Sequence, residues 1–395
     1  MEKLGKVLKH LKGAVLMAAV VVLFVTGASK AKAADINSAI DISNGAARTG
    51  SVADYNDVKW YKYTASQTGY VSFSVSAAEL STESYGWYLN VYKYDGQLTE
   101  VFKEYDKNVT SDKYMVQSGS TYFIGVSNSY SASNKKYSVK ANFTPYAFVE
   151  SEPNDNGHNA KLLNFGTEYL GVIGNYQDVD IYQITAPSDG YVVMNLKRYQ
   201  LLSAECPEWS FTLCDSSMNE LYDIHTVFQN DAHNTENVNY VMKKGQTVYL
   251  KVSKYNSEAV GELYSVSASY VNAKNVEKES NNTFGSANKI KLKKTYLGTM
   301  GETTSDYYRV KATRNGKLKV TLKLDKDVTY GYKINVYDGS KRLVASSKKV
   351  IYKSGTLKFK ANRNNKYYIE VKHGDRGFFS GGYTFGTNYR LTVRK

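Results

Sequence analysis

The sequence has few residues that could cross-link it. Only two cysteines, Cys206 and Cys214, occur among 395 residues, so disulfides are not the framework of the fold. They flank a predicted strand whose ends would lie about 20 Å apart if extended, whereas a disulfide requires Cα atoms within about 7 Å. The sequence leaves open whether the two cysteines pair.

Catalytic motifs are also missing. The chain has no H-E-x-x-H metalloprotease motif, no G-x-S-x-G nucleophile motif and no Walker loop. Carboxylates are plentiful, but their spacing along the sequence does not identify a glycosidase pair. We therefore predict that the protein is not an enzyme.

Long apolar runs are limited to one, at the N-terminus. Residues 14–25 follow a lysine-rich start and precede Ala31-Lys32-Ala33, which together predict a secretory signal peptide over residues 1–33. The run is shorter than the roughly 20 apolar residues of a membrane span, although an uncleaved anchor is the alternative. We expect a secreted mature chain without a membrane span, released or held non-covalently at the cell wall.

The rest of the chain repeats one pattern three times. The segment Asp57-Val-Lys-Trp-Tyr61 returns as Asp178-Val-Asp-Ile-Tyr182 and, more loosely, as Thr304-Ser-Asp-Tyr-Tyr308. A turn glycine follows each copy at the same offset: Gly69, Gly190 and Gly316. The copies lie about 120 residues apart, which is the size of a domain and too long for a solenoid repeat.

Each copy is rich in predicted strands. Apolar and polar residues alternate over segments such as 71–76 and 318–324, and helical periodicity is nearly absent. We therefore predict an all-β chain of three tandem antiparallel β-sandwich, jelly-roll-like domains after the signal peptide. The predicted domains span residues 34–147, 148–272 and 273–395.

The second copy opens with an acidic segment, Glu150-Ser-Glu-Pro-Asn-Asp155, before its Asp178-x-Asp180-x-Tyr182 strand. This pattern resembles the bacterial pre-peptidase C-terminal domain family. The third copy keeps part of it, and the first copy lacks the opening. The resemblance implies small non-catalytic sandwiches that accompany secreted peptidases and other exported proteins.

The resemblance also implies calcium binding. The family's close relatives, the collagen-binding domains of clostridial collagenases, bind calcium through this opening and dock on collagen through an aromatic strand face. Calcium takes six to eight oxygen ligands, which the opening could supply if it folds back on the strand. The predicted calcium ligands are Glu150, Glu152, Asn154, Asp155, Asp178 and Asp180 in the second domain, and Glu277, Glu279, Asn281 and Asp306 in the third.

The third calcium site is expected to be the weaker one. Asn282 replaces Asp155, and Thr304 replaces Asp178. Lower ligand charge weakens calcium binding. For both openings, a plain acidic linker is the alternative interpretation.

Charge is distributed unevenly. Residues 273–395 hold 28 basic and 9 acidic residues, whereas residues 146–272 hold 7 and 16. In the third domain, lysines alternate with apolar residues along predicted strands, so we expect an exposed basic face. Its predicted polyanion-binding residues are Lys317, Lys319, Lys323, Lys358 and Lys360.

A basic face is typical of attraction to a polyanion. Outside a cell, this polyanion could be a teichoic acid, another anionic wall polymer or a sulfated glycan, and nucleic acid is not expected. Solubility with blunted sheet edges is one alternative, and pairing with the acidic second domain is another.

Together these features predict a secreted, non-catalytic binding or adhesion protein. Its calcium-stabilised modules would attach to an extracellular polymer, namely an anionic wall polymer, a glycan or a collagen-like protein. The alternatives are an accessory or targeting module for a secreted peptidase and a self-assembling matrix protein. The sequence does not identify the ligand or the oligomeric state.

Overall fold

A computed structural model describes residues 36–54, 57–78, 86–128, 132–199, 207–226, 236–301, 305–326, 328, 331–374 and 386–395. The predicted signal peptide and Cys206 lie outside these residues, so the signal and the pairing of the cysteines are not tested. Cys214 is buried. No helix in the described part of the chain is long and apolar enough to cross a membrane.

The predicted all-β fold is confirmed. Apart from two short 3-10 helices, Ile36–Ser38 and Ser257–Ala259, the regular elements of the described residues are strands. The first ten are β1 (Ile40–Asp41), β2 (Arg48–Ser51), β3 (Lys59–Thr64), β4 (Gly69–Ala77), β5 (Trp87–Tyr94), β6 (Leu98–Asp106), β7 (Asn108–Thr110), β8 (Tyr114–Val116), β9 (Thr121–Asn128) and β10 (Lys136–Pro145).

Two further sets of nine strands follow. The second set is β11 (Lys161–Leu162), β12 (Glu168–Val172), β13 (Val179–Thr185), β14 (Gly190–Arg198), β15 (Trp209–Cys214), β16 (Glu220–Thr226), β17 (Glu236–Met242), β18 (Thr247–Lys254) and β19 (Leu263–Asn272). The third set is β20 (Asn288–Ile290), β21 (Thr295–Thr299), β22 (Ser305–Lys311), β23 (Gly316–Leu324), β24 (Tyr332–Tyr337), β25 (Leu343–Ser346), β26 (Ser354–Ala361), β27 (Lys366–His373) and β28 (Asn388–Arg394).

Each set forms two sheets with the same strand order. The five-stranded sheets are β1-β3-β9-β5-β6, β11-β13-β18-β15-β16 and β20-β22-β27-β24-β25. Their partner sheets are β2-β10-β4-β7, with β8 also pairing β4, then β12-β19-β14-β17 and β21-β28-β23-β26. The pairing is antiparallel, except that the short first strand of each five-stranded sheet runs parallel to its neighbour.

The three sheet pairs fall within the three predicted domain ranges, whose boundaries stay a prediction. Residue contacts divide the described chain into two compact units. The first unit consists of residues 36–64, 73–111 and 120–141. The second consists of residues 65–72, 112–119 and 142–395, and it includes the second and third sheet pairs.

The cores form because alternate side chains of each strand point inward. In β23, for example, Leu318, Val320, Leu322 and Leu324 are buried, whereas the lysines between them are exposed. In the second and third sandwiches, one continuous apolar cluster draws residues from both sheets of the pair. This face-to-face packing is the arrangement of a β-sandwich.

A pair of buried tyrosines joins the two sheets of every sandwich. One tyrosine comes from the repeated strand motif and the other from the closing strand of the opposite sheet. Their hydroxyl oxygens lie within hydrogen-bonding distance: Tyr61 and Tyr137 at 2.9 Å, Tyr182 and Tyr264 at 2.9 Å, and Tyr308 and Tyr389 at 2.7 Å.

A glycine makes room for each tyrosine pair. A Cβ atom built on Gly298 would lie 2.4 Å from Cζ of Tyr389, and one built on Gly171 would lie 2.3 Å from Cζ of Tyr264. Gly50 has the same relation to Tyr137, at 2.6 Å. These distances are far below van der Waals contact, so any side chain at these positions would displace the tyrosine.

We expect Gly298→Ala to destabilise the third sandwich by about 1–3 kcal/mol, the usual cost of overpacking a core. Urea unfolding followed by circular dichroism would measure the change. Gly339→Ala is the matched control, because a Cβ atom there meets nothing nearer than the carbonyl oxygen of Lys366 at 3.6 Å. Equal stability of the two variants would contradict this account of the tyrosine pair.

Candidate metal centres and basic face

The acidic openings of the second and third sandwiches fold back on the repeated strand, as the resemblance implied. In the second, the backbone N–H of Ile181 on β13 donates to the carbonyl of Asn154 at 3.1 Å. In the third, the N–H of Tyr307 on β22 donates to the carbonyl of Asn281 at 2.9 Å. These bonds place the acidic side chains of each opening beside the aspartate of the strand.

Three carboxylates meet in each of these sandwiches, and we call each group an inner cluster. The members are Glu150, Glu152 and Asp180 in the second sandwich, and Glu277, Glu279 and Asp306 in the third. Within each cluster, one oxygen from every carboxylate lies within 4.8 Å of the others. The first and last member of each cluster are at most 1% exposed, which is rare for unpaired acids.

The tyrosine pair donates into the inner cluster. The hydroxyl of Tyr264 donates to Oδ2 of Asp180 at 2.5 Å. In the third sandwich, Tyr389 donates to Oδ2 of Asp306 at 2.6 Å, and the hydroxyl oxygen of Tyr308 lies 2.5 Å from Oε2 of Glu277. Sequence reasoning missed this role of the tyrosines, although their recurrence in the closing strands was the available signal.

Backbone and amide groups occupy the other lone pairs of the innermost glutamates. Oε1 of Glu150 accepts the N–H of Val172 at 2.8 Å, and Oε1 of Glu277 accepts that of Thr299 at 2.6 Å. The side-chain amide of Asn281 donates to Oε2 of Glu277 at 3.0 Å. Each asparagine therefore directs its N–H₂ group toward a glutamate, and its Oδ1 is not used in that contact.

Four buried oxygens in the two sites have no hydrogen-bond partner among the described residues. They are Oδ1 of Asn154, Asp180, Asn281 and Asp306, which hold equivalent positions in the two sandwiches. A buried acceptor without a donor costs about 1–3 kcal/mol. The same pair of oxygens, one from an asparagine and one from an aspartate, is thus unsatisfied in both sites.

The pKa values of the inner clusters are raised, because carboxylates lose hydration when buried. Burial, reinforced by Asp180 and Asp178, raises the pKa of Glu152 to about 8 although the residue as a whole is exposed. Burial and then repulsion from Glu277 raise the pKa of Glu279 to about 8. Burial raises the pKa of Asp180 and of Glu277 to about 7 in each case.

The second sandwich has an additional outer cluster, formed by Glu152, Asp155 and Asp178, with oxygens again within 4.8 Å of one another. The backbone N–H of Gly174 donates to Oδ2 of Asp178 at 2.5 Å. Burial, followed by repulsion from Asp155, raises the pKa of Asp178. The five predicted carboxylates thus lie together in two overlapping groups that share Glu152, and the amide of Asn154 contacts Glu150 at 3.5 Å.

The third sandwich has the inner cluster without this extension. Asn282 stands in place of Asp155 and is exposed, and Thr304 lies outside the described residues. In the first sandwich, Lys59 occupies the strand position of Asp180 and pairs with Asp57 at 3.8 Å. A lysine there is incompatible with a cluster of cation ligands, in agreement with the missing opening.

The basic face of the third sandwich lies on the outer side of the sheet β21-β28-β23-β26. Lys317 is paired with Lys360, and Lys319 with Lys358. Arg394 lies on the other side of Lys319, and Arg390 lies opposite Lys323. The five predicted lysines are all exposed.

One of these basic groups is neutralised locally. The guanidinium of Arg390 pairs with Asp325 at 3.0 Å. None of the five lysines forms an ion pair with another described residue. Like charges directly opposite one another destabilise a sheet, so the arrangement is unfavourable by itself and would be relieved by an anion.

Solved structures similar to the chain include a pre-peptidase C-terminal domain of collagenase from Bacillus anthracis, at 18% identity over 27% of this chain and 93% of that one, with a TM-score of 0.20. They also include the tandem CBM51 modules of a family 98 glycoside hydrolase from Streptococcus pneumoniae, at 11% identity over 56% and 83%, with a TM-score of 0.22. A CBM22 tandem domain from Paenibacillus barcinonensis matches at 10% identity over 54% and 81%, with a TM-score of 0.19.

No protein-family model and no curated protein matches the chain. The resemblance predicted from the acidic openings is thus found again among solved structures, in a pre-peptidase C-terminal domain to which this chain is similar.

Proposed function

We propose that the protein is a secreted, non-catalytic binding protein whose second and third sandwiches each hold calcium and whose basic face attaches it to an extracellular polyanion. The observation that carries the calcium assignment is the pair of unsatisfied oxygens in each inner cluster. A bound cation would satisfy these oxygens and offset the repulsion between the three carboxylates. The clusters are therefore interpreted as ligand sets rather than as plain acidic linkers.

The donor set favours calcium over other metals. Each inner cluster offers three carboxylates and one amide oxygen, and the described ligands include no nitrogen or sulfur. Zinc sites normally contain histidine or cysteine. Magnesium keeps several waters and is usually bound through one or two carboxylates, whereas calcium accepts many protein oxygens in a flexible geometry.

The outer cluster of the second sandwich bears on which of the two sites would bind calcium more tightly. It adds Asp155 and Asp178 to the inner three carboxylates, and these acids have no described equivalent in the third sandwich. Because affinity rises with the charge of the ligands, the second sandwich is proposed to bind calcium more tightly.

Calorimetric titration of the mature chain with calcium is expected to resolve binding at both sandwiches. Asp306→Asn should remove the weaker component, and Asp180→Asn the tighter one. Each should weaken its site by more than about 100-fold, since even residues that only support metal ligands contribute 10–100-fold. Glu220→Gln, which alters an exposed carboxylate outside the clusters, should bind like the wild type, and absence of any binding heat in the wild type would rule out the calcium sites.

Calcium stabilisation is expected to increase with pH. Without metal, the folded protein keeps protons on acids whose pKa values are raised from 3.8 or 4.5 to about 7 or 8. The stability of the metal-free sandwiches should therefore fall as pH rises through this range. Calcium must displace these protons to bind, so its contribution should be greatest above the raised folded-state pKa values, where the protons have already been lost.

The measurement is the shift in the unfolding midpoint temperature between calcium and a chelator. This shift should be several-fold larger near pH 8 than near about pH 5.5. In the double variant Asp180→Asn with Asp306→Asn, calcium should give no shift at either pH. A shift that is independent of pH in the wild type would show that calcium does not displace the clustered protons.

The polyanion proposal is supported by the rows of lysines on the basic face. We expect Lys319→Glu with Lys358→Glu to weaken binding to teichoic acid or heparin by about tenfold or more at about 0.1 M salt, where screening acts over about 10 Å. Lys289→Glu with Lys366→Glu is the matched control, because it makes the same change of net charge at exposed lysines of the other sheet. Equal losses in both variants would point to net charge alone rather than to this face.

A further inference from the structure

The outer face of the first sandwich's five-stranded sheet bears a row of aromatic rings. Along β5, Leu89 and Val91 point into the core, whereas Tyr88, Tyr92 and Tyr94 point outward. The row extends about 20 Å at roughly 3.3 Å per residue. This length suits an extended polymer better than a single small molecule.

Neighbouring strands widen this row into what we call the aromatic platform. Tyr105 on β6 stacks against Tyr88 with ring centroids 4.8 Å apart. Phe123 on β9 contacts Tyr94 at 5.7 Å, and Trp60 on β3 contacts Tyr92 at 5.5 Å. Trp60 and Phe123 are buried, at 7% and 8% exposed, and form the base of the platform. Tyr88, Tyr94 and Tyr105 are 37%, 40% and 41% exposed and project from this base.

The third sandwich shows what the same sheet positions look like when the molecule covers them itself. There Phe284, from the acidic opening, packs among the rings of Tyr307, Tyr337 and Tyr368, with centroids 4.8, 5.1 and 5.2 Å away. These three tyrosines occupy the register positions of Trp60, Tyr92 and Phe123. In the first sandwich, the register-equivalent position of Phe284 is Ile36, a half-buried aliphatic residue of the 3-10 helix Ile36–Ser38, so the described chain places no aromatic ring there.

A second difference concerns hydrogen bonding at the centre of the sheet. In the third sandwich, Glu370 accepts bonds from the amide of Asn335 at 2.7 Å and from two of the tyrosine hydroxyls. In the first sandwich, the equivalent of Glu370 is Gly125 and the equivalent of Asn335 is Asn90. Oδ1 of Asn90 is buried and has no hydrogen-bond partner among the described residues.

The geometry of the aromatic platform favours a ligand that lies along the row of tyrosines over a single side chain inserted into a pocket. Atoms Cη2 and Cζ3 of Trp60 lie 3.2 Å from the position of a Cβ atom on Gly125. The indole therefore fills part of the space that a guest ring would need, and an inserted side chain like Phe284 has no cage to enter. What remains accessible is the line of raised tyrosines.

We propose that the aromatic platform binds an uncharged polysaccharide chain, an assignment that rests on the binding function proposed above and names a second ligand for it. The C–H face of a sugar ring packs on an aromatic ring, whose negative face attracts the slightly positive hydrogens. Sugar hydroxyls can donate hydrogen bonds to the hydroxyl oxygens of the exposed tyrosines.

Affinity electrophoresis of the full mature chain tests this proposal, with hydroxyethylcellulose, xylan or galactomannan cast in the gel. We expect at least one of these neutral polysaccharides to retard the wild type. Tyr88→Ala with Tyr94→Ala should weaken the interaction by about tenfold or more, because two stacking rings are removed. Tyr352→Ala is the matched control, since Tyr352 is an exposed tyrosine of the third sandwich, at 53%.

Tryptophan fluorescence provides an independent readout. Trp87 and Trp209 are fully buried, so a change on adding the retarding polysaccharide should come from Trp60. This change should disappear in Trp60→Phe and persist in Lys319→Glu with Lys358→Glu, which alters only the basic face. A fluorescence change that persists in the lysine variant would show that the polysaccharide does not bind through the basic face.

Three results would overturn the proposal. The first is that none of the neutral polysaccharides retards the wild type, even if teichoic acid or heparin does, which would leave the proposed polyanion function in place. The second is undiminished retardation of Tyr88→Ala with Tyr94→Ala. The third is that this variant loses binding to a triple-helical collagen peptide while the wild type binds no polysaccharide, which would make the platform a protein-binding surface.

Discussion

The hydrogen bond between two tyrosine hydroxyls inside each sandwich is the interaction on which the polar chemistry of this protein depends. Two hydroxyls have two protons, and the bond between them uses one. The second proton must find an acceptor or remain buried without one. In the second and third sandwiches, the acceptors are Asp180 and Asp306. The tyrosine pair thus fixes one oxygen of each aspartate toward the core and leaves the other directed to the acidic opening.

The same contact links the inner clusters to the packing of the sheets. Because the two tyrosines come from opposite sheets, the aspartate is held relative to both layers, and a glycine such as Gly298 leaves the space that the rings require. Burial raises the pKa values of the clustered acids, so the proton and the proposed calcium would compete for one site whose shape is set by apolar packing. In the first sandwich the tyrosine pair persists at 2.9 Å, but Lys59 stands in the strand position of Asp180, and the carboxylate cluster is not formed there among the described residues.

Strand positions could be predicted because alternation is a local signal. The segments 71–76 and 318–324, expected as strands from their alternation, lie within β4 and β23. The two- or three-residue parallel strands β1, β11 and β20 could not be predicted, since so short a segment has no periodicity. The proximity of the candidate ligand residues was implied by the family resemblance, but their division into inner and outer clusters was not. Asp178 precedes β13 and is held by the N–H of Gly174, whereas Asp180 lies within the strand and points to the core, a distinction that depends on where the strand begins.

The packing of Phe284 has a consequence for how the two acidic openings would behave toward proteases. In the third sandwich, the opening that carries Glu277, Glu279 and Asn281 continues directly into a phenylalanine held by three tyrosine rings. Releasing that segment would expose an apolar ring to water, so the backbone around residues 277–287 should resist cleavage even when calcium is chelated. The second sandwich has Gly157 at the equivalent position and no ring to withdraw. Under the proposed calcium binding, its opening would depend more heavily on the cation, and chelation should make the chain around residues 150–160 the earlier target of a protease.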